Sequence, residues 1–344
     1  MSNKVKIGVL GAGTWGVALA RMLTLAGNGV TVWSAVDAEI DSLSSTNMHP
    51  NFPGVLLPRE TKYTKNISDA CLGMDVILLA VPSVFVREVA RKAARYISDG
   101  QIIVDVAKGI EEETLYTMTE IIADEIKNPA VKLVALSGPT HAEEVIRDLP
   151  TTIVSASEDE AAARTVQRIF TTGCMRVYTN EDVRGVELCG ALKNVIALAS
   201  GIATGLGCGD NAKAALITRG IAEISRLGGA MGCREQTFGG LAGIGDLIVT
   251  ATSMHSRNNR CGILIGRGVP VGDAIAEVGM VVEGINALPA AISLAKKYNV
   301  EMPIIETVDA VVSGRASVRS AISALMSRAP KSEISGTAFA NLYD

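Results

Sequence analysis

The chain has 344 residues, of which 48% are apolar and 20% are charged, and its formal net charge is −4 at pH 7. This composition is typical of a folded globular protein, and a mildly acidic chain without a basic block argues against nucleic acid and membrane surfaces as partners. The length predicts about two domains, with cores large enough to need no disulfide or metal.

Short apolar runs alternate with amphipathic helical patterns through the first half of the chain. The predicted strands are Val5–Leu10, Val30–Ser34, Val76–Val81, Gln101–Val106, Lys132–Leu136, Thr151–Ala156 and Met175–Tyr178. The predicted helices in this half are Thr14–Leu25, Val84–Ile97, Glu113–Lys127 and Asp159–Phe170. This alternation predicts an α/β fold with a doubly wound, mostly parallel sheet that is covered by helices on both faces.

The pattern changes after about residue 182, where strand-like runs end and helical patterns rich in Ala, Leu and Ile follow. These patterns are Val183–Ile202, Asn211–Leu227, Val271–Val278, Glu283–Tyr298 and Ser317–Ser327. The sequence therefore predicts an α/β domain over residues 1–182 and an all-helical domain over residues 183–344. Because no Pro-rich or Ser-rich linker separates them, we expect a substantial interface with a ligand cleft between them.

The cysteines and histidines give no sign of a metal or disulfide framework. The six cysteines form no C-x-x-C pair and the three histidines are scattered, so no metal is expected. Free thiols are typical of a reducing cytosol, which predicts a cytoplasmic protein. Residues 7–20 form an uncharged run after two lysines, but its glycines would break the helix of a signal peptide. Residues 194–209 are too few to span a bilayer, so no stable membrane insertion is expected.

The segment Gly11-Ala12-Gly13-Thr14-Trp15-Gly16 has the spacing G-x-G-x-x-G between a predicted strand and a predicted helix. That context is typical of a dinucleotide-binding turn. Gly11 permits the tight turn, Gly13 lets a pyrophosphate approach the backbone, and Gly16 brings helix and strand together. The N-terminus of the helix adds unpaired N–H groups and a partial positive charge. An ordinary glycine-rich turn is the alternative, and the combined context favours a dinucleotide.

The end of the second strand is where such folds contact the cofactor's adenosine ribose. No Lys or Arg occurs between Arg21 and Arg59, so a 2′-phosphate would lack a nearby cation in this segment. This absence favours NAD over NADP. Asp37 and Glu39 follow the strand, and they either contact the ribose or begin a solvated helix.

Three isolated charged groups stand among small and apolar residues in the second half. Lys193 is the only cation of the helical segment Val186–Ile196, Asp246 is the one carboxylate of a glycine-rich run, and Arg257 lies in a Ser-Arg-Asn segment. A lysine in such surroundings either extends to water or serves a cleft. An amine, a carboxylate that orients it and an arginine fork suit the reduction of a carbonyl on an anionic substrate.

Taken together, these segments resemble the bacterial NAD(P)-dependent glycerol-3-phosphate dehydrogenases. The resemblance runs from the glycine-rich turn to about residue 310. It is carried by Ala80-Val81-Pro82-Ser83, Lys108-Gly109, Ser137-Gly138-Pro139-Thr140, Leu192-Lys193-Asn194, Gly209-Asp210-Asn211, Thr218-Arg219-Gly220, Ala242-Gly243-Ile244-Gly245-Asp246-Leu247, Ser256-Arg257-Asn258 and Val282-Glu283-Gly284. It implies a Rossmann-like domain followed by a helical domain, usually in a homodimer. The implied reaction interconverts dihydroxyacetone phosphate and sn-glycerol 3-phosphate with NAD or NADP, which supplies phospholipid synthesis.

The resemblance also implies roles for individual residues. Lys193 matches the lysine that exchanges a proton with the substrate oxygen, Lys108 matches the lysine that reaches cofactor and substrate, and Asp246 matches the carboxylate near the catalytic lysine. The implied substrate-binding residues are Lys108, Gly138, Lys193, Asn194, Asp246, Thr250, Ser256, Arg257 and Asn258, with Arg257 at the phosphate. The implied cofactor-binding residues are Gly11, Gly13, Thr14, Trp15, Gly16, Ser34, Ala35, Pro82, Lys108, Thr140, Ala142, Arg257, Val281 and Glu283.

Two positions depart from the family pattern. Many relatives carry Phe in place of His141, and many carry Arg or His where this chain has Ser34-Ala35, which again favours NAD. His49 and His255 are expected at the surface.

Two alternative functions are weighed against this one. A related reductase of the β-hydroxyacid or ketopantoate type is disfavoured by the Gly-Ile-Gly-Asp and Ser-Arg-Asn segments. A catalytically inactive nucleotide sensor is disfavoured because Lys108, Lys193, Asp246 and Arg257 are all present.

Overall fold

A computed structural model describes residues 4–330, 332 and 333. Its sheet contains β1 Lys6–Leu10, β2 Gly29–Trp33, β3 Lys62–Thr64, β4 Val76–Leu79, β5 Ile102–Asp105, β6 Lys132–Ser137, β7 Thr151–Ala156 and β8 Met175–Asn180. The spatial order is β3-β2-β1-β4-β5-β6-β7-β8. Every neighbouring pair is parallel except β6 with β7. The predicted α/β fold with a mostly parallel sheet is confirmed.

The helices divide into two groups. Those of the sheet-containing half are α1 Thr14–Leu25, α2 Asp37–Thr46, α3 Val86–Ala94, α4 Met118–Ile126, α5 Ala142–Val145 and α6 Glu160–Phe170, with 3₁₀ turns at Ile67–Ala70 and Ser83–Phe85. The later ones are α7 Val183–Leu206, α8 Asp210–Ala230, α9 Glu235–Phe238, α10 Asp246–Thr252, α11 Arg257–Gly266, α12 Val271–Val278, α13 Glu283–Asn286, α14 Leu288–Tyr298, α15 Pro303–Val312 and α16 Val318–Met326, with a π-type turn at Leu241–Gly245.

Local chemistry explains where the elements differ from their predicted bounds. Helix α4 begins at Met118, not at Glu113, because Thr117 and Glu120 form a capping box and Leu115 has a left-handed φ of 61°. The predicted helix Glu283–Tyr298 is two helices in the structure. Strand β3 was not predicted, because its three residues are too few for a periodic signal. Helices α5, α9, α10, α11 and α15 were not predicted either, and a helix at α2 was only one of two alternatives.

Helix α7 forms the centre of the second half. Within the described part of the chain it is the one helix that is long and apolar enough to cross a membrane, and that apolar stretch is entirely buried in the protein. It packs against α8, α10, α11, α13 and β6. A helix that is apolar on all sides is typical of a core element. Its burial also places Lys193 and Asn194 in the interior.

A small apolar cluster joins the sheet to the helical half. Ala135, Val154 and Ala156 of the sheet pack against Val186 of α7 and Ala242 of the π-type turn. The two halves therefore share a packed interface, as the absence of a linker predicts.

Helices α7 and α11 approach closely through two glycines on each helix. Gly201 and Gly205 on α7 face Gly262 and Gly266 on α11, and a Cβ at any of the four would lie 2.2 Å from a backbone oxygen of the other helix. Backbones this close leave no room for side chains at the crossing. The crossing holds α11, which begins at Arg257, against the helix that carries Lys193.

Gly262→Ala is expected to destabilise the protein by about 1–3 kcal/mol, because the added methyl group must push the two backbones apart. Gly229→Ala is the matched control, since Gly229 lies near the end of α8 with no atom within 4 Å of its added Cβ. Urea unfolding of both variants provides the measurement. Equal stability of the two variants would show that the crossing tolerates a larger separation.

Candidate active site

A cleft of about 670 Å³ lies where the carboxyl ends of β1, β4, β5 and β6 meet the helical half. The carboxyl ends of parallel strands are the usual ligand-binding edge of such a sheet. The predicted residues that border the cleft are Gly13, Thr14, Trp15, Pro82, Lys108, Thr140, Ala142, Lys193, Asn194, Thr250, Ser256, Arg257, Asn258, Val281 and Glu283. The structure thus brings together most of the predicted site.

Six predicted residues do not line the cleft, namely Gly11, Gly16, Ser34, Ala35, Gly138 and Asp246. Twelve residues that were not predicted as site residues do line it. They are Asn51, Ala80, Val81, Val106, Ala107, His141, Glu143, His255, Arg260, Val278, Gly279 and Met280. Asn51 lies between α2 and β3, where no motif could have indicated it. Arg260 stands three residues after Arg257, so the helix α11 places both on one face, but α11 itself was not predicted.

The glycine-rich turn has the geometry that a pyrophosphate requires. Gly11 has φ +123°, and a Cβ there would lie 2.4 Å from the Ala80 carbonyl oxygen. A Cβ at Gly16 would lie 2.2 Å from the Gly11 oxygen, whereas one at Gly13 would meet no atom within 4 Å. Gly13 therefore leaves open space at the cleft, and α1 begins there without a side-chain cap, so its first N–H groups are available to an anion.

The end of β2 carries a carboxylate beside Ser34. The Ser34 hydroxyl donates to Glu39 Oε2 at 2.6 Å and accepts from the Val36 amide at 3.1 Å. Of the two acidic residues considered there, Glu39 is the one that the fold places against Ser34. The backbone of Lys65, which directly follows β3, also lies near the end of β2, because the Trp33 indole donates to the Lys65 carbonyl at 3.1 Å. The Lys65 ammonium pairs with Asp41 at 2.7 Å.

Asp246 lies between two lysines at the inner end of the cleft. Its Oδ1 accepts from Lys193 Nζ at 2.8 Å, and its Oδ2 accepts from Lys108 Nζ at 2.7 Å. Asp246 is 1% exposed and Lys193 is 4% exposed. Lys193 also donates to the Thr250 hydroxyl at 2.6 Å. The carboxylate therefore fixes both amines, although it does not itself line the cleft.

Burial lowers the pKa of the Lys193 amine to about 7. The Asp246 carboxylate opposes this effect and the Lys108 ammonium adds to it, but desolvation is the largest cause. An amine with such a pKa exchanges a proton readily at neutral pH, as a general acid and base must.

Lys108 is held by two further acceptors on the loop after β6. Its ammonium donates to the Gly138 carbonyl and to the Thr140 hydroxyl, each at 3.1 Å. Gly138 thus acts through its backbone oxygen, which positions Lys108 at the cleft wall.

The start of α11 contributes one uncommitted side chain. Ser256 caps the helix by accepting from the Asn259 amide at 3.2 Å. Asn258 donates to Asn194 Oδ1 at 2.9 Å and accepts from the Gly284 amide at 2.8 Å. The Arg257 side chain makes no hydrogen bond or ion pair within residues 4–330, 332 and 333, and it borders the cleft, where its guanidinium can bind an anion.

Glu283 connects the two halves at the rim of the cleft. Its carboxylate accepts from the Ser83 amide at 3.1 Å and from the Ser83 hydroxyl at 2.6 Å. Ser83 lies in the turn after β4, and Glu283 opens α13. Glu283, which is predicted to contact the cofactor, therefore forms hydrogen bonds across the cleft.

Of the two histidines predicted at the surface, one is exposed and one is buried. His49 is 8% exposed, so the prediction of a surface position is wrong, and its Nδ1 accepts from the Asn51 amide at 3.1 Å. His255 is exposed but borders the cleft with His141. Across residues 4–330, 332 and 333 no group of three His, Cys, Asp or Glu side chains is placed to hold a metal ion.

Comparison with known proteins gives consistent matches. The family model for the NAD-dependent glycerol-3-phosphate dehydrogenase N-terminus matches residues 6–163, and the model for its C-terminus matches residues 182–323. The chain is 64% identical to glycerol-3-phosphate dehydrogenase [NAD(P)+] 2 of Lactobacillus delbrueckii subsp. bulgaricus, covering 96% of this chain and 99% of that protein.

Two further matches extend the comparison. The chain is 51% identical to glycerol-3-phosphate dehydrogenase [NAD(P)+] of Fusobacterium nucleatum subsp. nucleatum, over 96% of this chain and 99% of that one. The crystal structure of glycerol-3-phosphate dehydrogenase from Coxiella burnetii superposes with a TM-score of 0.90 at 34% identity, covering 94% of this chain and 99% of that chain.

Proposed function

This chain belongs to the NAD-dependent glycerol-3-phosphate dehydrogenase family, and we propose that its cleft holds the substrate and cofactor of that reaction through the residues described above. The enzyme is an NAD(P)-dependent oxidoreductase that interconverts dihydroxyacetone phosphate and sn-glycerol 3-phosphate. The observation that carries the assignment of roles is the bridge from Lys193 through Asp246 to Lys108 at the inner end of the cleft. The alternative of a ketopantoate-type reductase is less well supported, since both halves of the chain match this family.

The proposed cofactor contacts follow the edge of the sheet. The first N–H groups of α1, beside Gly13, would hold the pyrophosphate, and the turn containing Pro82 and the loop containing Thr140 and Ala142 would flank the remainder. The bound NAD(P)H supplies the hydride. Glu283 would hold Ser83 and so keep the turn after β4 in place.

In the reducing direction, the Lys193 ammonium would donate a proton to the carbonyl oxygen of dihydroxyacetone phosphate and stabilise the developing alkoxide. Asp246 and Thr250 hold that amine on the inner wall. In the oxidising direction, the free amine would accept the proton of the hydroxyl. Arg257 would bind the phosphate, and that binding energy would keep the small substrate beside the cofactor.

Steady-state kinetics tests the function directly. We expect NADH oxidation with dihydroxyacetone phosphate and none above background with ketopantoate or without substrate. Turnover of ketopantoate in place of dihydroxyacetone phosphate would favour the alternative reductase.

Arg257→Lys is expected to lower kcat/KM for dihydroxyacetone phosphate by an amount equivalent to about 1.5–3 kcal/mol, because an ammonium cannot reproduce the planar fork of the guanidinium. Arg95→Lys, at an exposed position at the end of α3, is the control and should be neutral. Kinetics with varied substrate measures the effect. Full activity of Arg257→Ala would exclude Arg257 from the phosphate site.

We propose that NADH serves this enzyme at least as well as NADPH. The support is the Glu39 carboxylate beside Ser34, which would repel a 2′-phosphate and accept from a ribose hydroxyl. Ala35→Arg should improve kcat/KM for NADPH, because it supplies the cation that many relatives carry. A wild-type kcat/KM at least tenfold higher for NADPH would contradict the proposal and make Lys65 the first residue to test.

We further propose a cytoplasmic homodimer that feeds phospholipid synthesis, with domains over residues 1–182 and 183–344. The support for the dimer and the pathway is the family resemblance. The support for the boundary is that β8 ends at Asn180 and α7 begins at Val183. Light scattering after size exclusion would test the dimer.

A further inference from the structure

His141 and His255 face each other at the cleft, one from each half of the protein. His141 follows β6 and precedes α5, and His255 lies in the loop between α10 and α11. Their ring centroids are 5.7 Å apart with planes tilted by 56°. Both rings border the cleft that Lys193 and Arg257 also border.

A count of donors at the start of α11 leaves part of the acceptor capacity of a bound phosphate unmet. A phosphate monoester presents three strong acceptor oxygens. Ser256 accepts from the Asn259 amide and keeps one O–H, and Asn258 donates one N–H to Asn194 and keeps the other, so each side chain can donate one bond to the phosphate. The Arg257 fork serves two oxygens. His255 lies two residues before Arg257 with His141 opposite it, and both rings border the cleft together with Arg260, one turn further along α11.

The charges around the pair are mixed. They are Glu143 and Glu144 on α5, Lys193 on α7 with Asp246 of α10 beyond it, and Arg257 and Arg260 on α11. Burial lowers the pKa of His141, and the Lys193 ammonium adds to this, while the Val249 carbonyl, Glu143 and Glu144 oppose it. Without an anion the His141 ring is therefore neutral at pH 7. A phosphate dianion nearby would favour the protonated ring.

We propose that His141 and His255 are additional contacts for the substrate phosphate and that His141 takes up a proton when the phosphate dianion binds. This inference rests on the function proposed above and assigns two further residues to substrate recognition. Since one histidine comes from each half, the same contact joins the loop after β6 to the start of α11 over the bound phosphate.

Three variants separate the contributions. His255→Ala removes the donor and the charge, His255→Gln keeps a neutral donor, and His141→Phe keeps an aromatic ring. We expect His255→Ala and His141→Phe to raise KM for dihydroxyacetone phosphate by about tenfold, as for a lost hydrogen bond to a charged group, with kcat within about twofold. The reaction of dihydroxyacetone, which has no phosphate, should be unchanged, whereas a merely structural defect would reduce both reactions.

The proton provides a second measurement. Calorimetric titration with sn-glycerol 3-phosphate at pH 8, in two buffers of different ionisation enthalpy, reports protons taken up on binding. The ligand is already a dianion at that pH, since a phosphate monoester has its second pKa near 6. We expect uptake in the wild type and reduced uptake in His141→Phe. Lys193 is present in both proteins, so the difference belongs to His141.

Two sets of results are distinguishable. A wild type that turns over dihydroxyacetone phosphate, together with variants that keep its KM and its proton uptake, would overturn this inference alone. A wild type that neither binds sn-glycerol 3-phosphate nor turns over dihydroxyacetone phosphate would overturn the proposed function as well.

Discussion

Lys193→Met is expected to lower kcat by about 10²–10⁴, the usual range for a positioned acid–base group. Methionine keeps much of the length of lysine but cannot donate or accept a proton. The affinity for NADH should change little, because the glycine-rich turn is untouched. Stopped-flow or steady-state kinetics in both directions, with NADH binding followed by fluorescence, measures the two effects separately.

The wild-type pH profile is the second readout of the same prediction. Since burial lowers the pKa of Lys193 to about 7, the free amine that oxidation requires increases as pH rises through 7. Oxidation of sn-glycerol 3-phosphate should therefore speed up and level off above that pH, while reduction of dihydroxyacetone phosphate should slow. Lys193→Met should lack both trends.

Lys296→Met, at an exposed position of α14, is the control for the loss of one lysine. If Lys193→Met folds, binds NADH and keeps more than about a tenth of the wild-type kcat, Lys193 is not the acid–base group. Lys108, which shares the Asp246 carboxylate, would then be the next candidate.

Asp246→Asn is expected to cost about 3–5 kcal/mol of unfolding free energy at pH 6, because it leaves a buried ammonium without its counter-charge. The carboxylate holds both Lys193 and Lys108 in the wild type. Without it, the pKa of Lys193 should fall below about 7, since the opposing effect of Asp246 on desolvation is lost. The variant should also reduce dihydroxyacetone phosphate more slowly than the wild type, because a smaller fraction of its amine carries the proton that reduction requires.

The unfolding free energy that Asp246→Asn loses relative to the wild type should decrease as pH rises. In both proteins the unfolded lysine keeps its proton up to its ordinary pKa near 10.4, so stability rises with pH above the pKa of the folded state. That pKa is about 7 in the wild type and lower in the variant, so the stability of the variant begins to rise at a lower pH. The stability of the variant should therefore rise with pH, and its deficit should be smaller at pH 8.5 than at pH 6. Urea unfolding at the two pH values is the measurement.

Asp41→Asn is the matched control for this carboxylate. Asp41 pairs with Lys65, but their side chains are 65% and 45% exposed, so water replaces the lost partner and the cost should stay below about 1 kcal/mol. An equal loss of unfolding free energy in Asp246→Asn and Asp41→Asn would show that burial does not make the ion pair between Lys193 and Asp246 more important for stability.

Local sequence determined much of the fold and the chemistry of the site. Strand and helix periodicity extends over five to twenty residues, so the alternation in the first half and the apolar helix α7 could be predicted from neighbours alone. The glycine-rich turn was equally local, because the left-handed φ of Gly11 and the close approach at Gly16 depend on adjacent elements. Lys193 and Asp246 were also identifiable, as single charges among apolar residues.

Only the tertiary structure decided how these groups act. Lys193 and Asp246 are 53 residues apart in the chain, and Ser83 and Glu283 are 200 apart, so no local pattern encodes either contact. The pKa of Lys193 depends on burial by α10 and on Lys108, which are brought there by the packing of α7. Likewise, His141 and His255 belong to different halves of the protein, so their rings face each other only because the sheet and the helical half meet. No local sequence pattern encodes that contact.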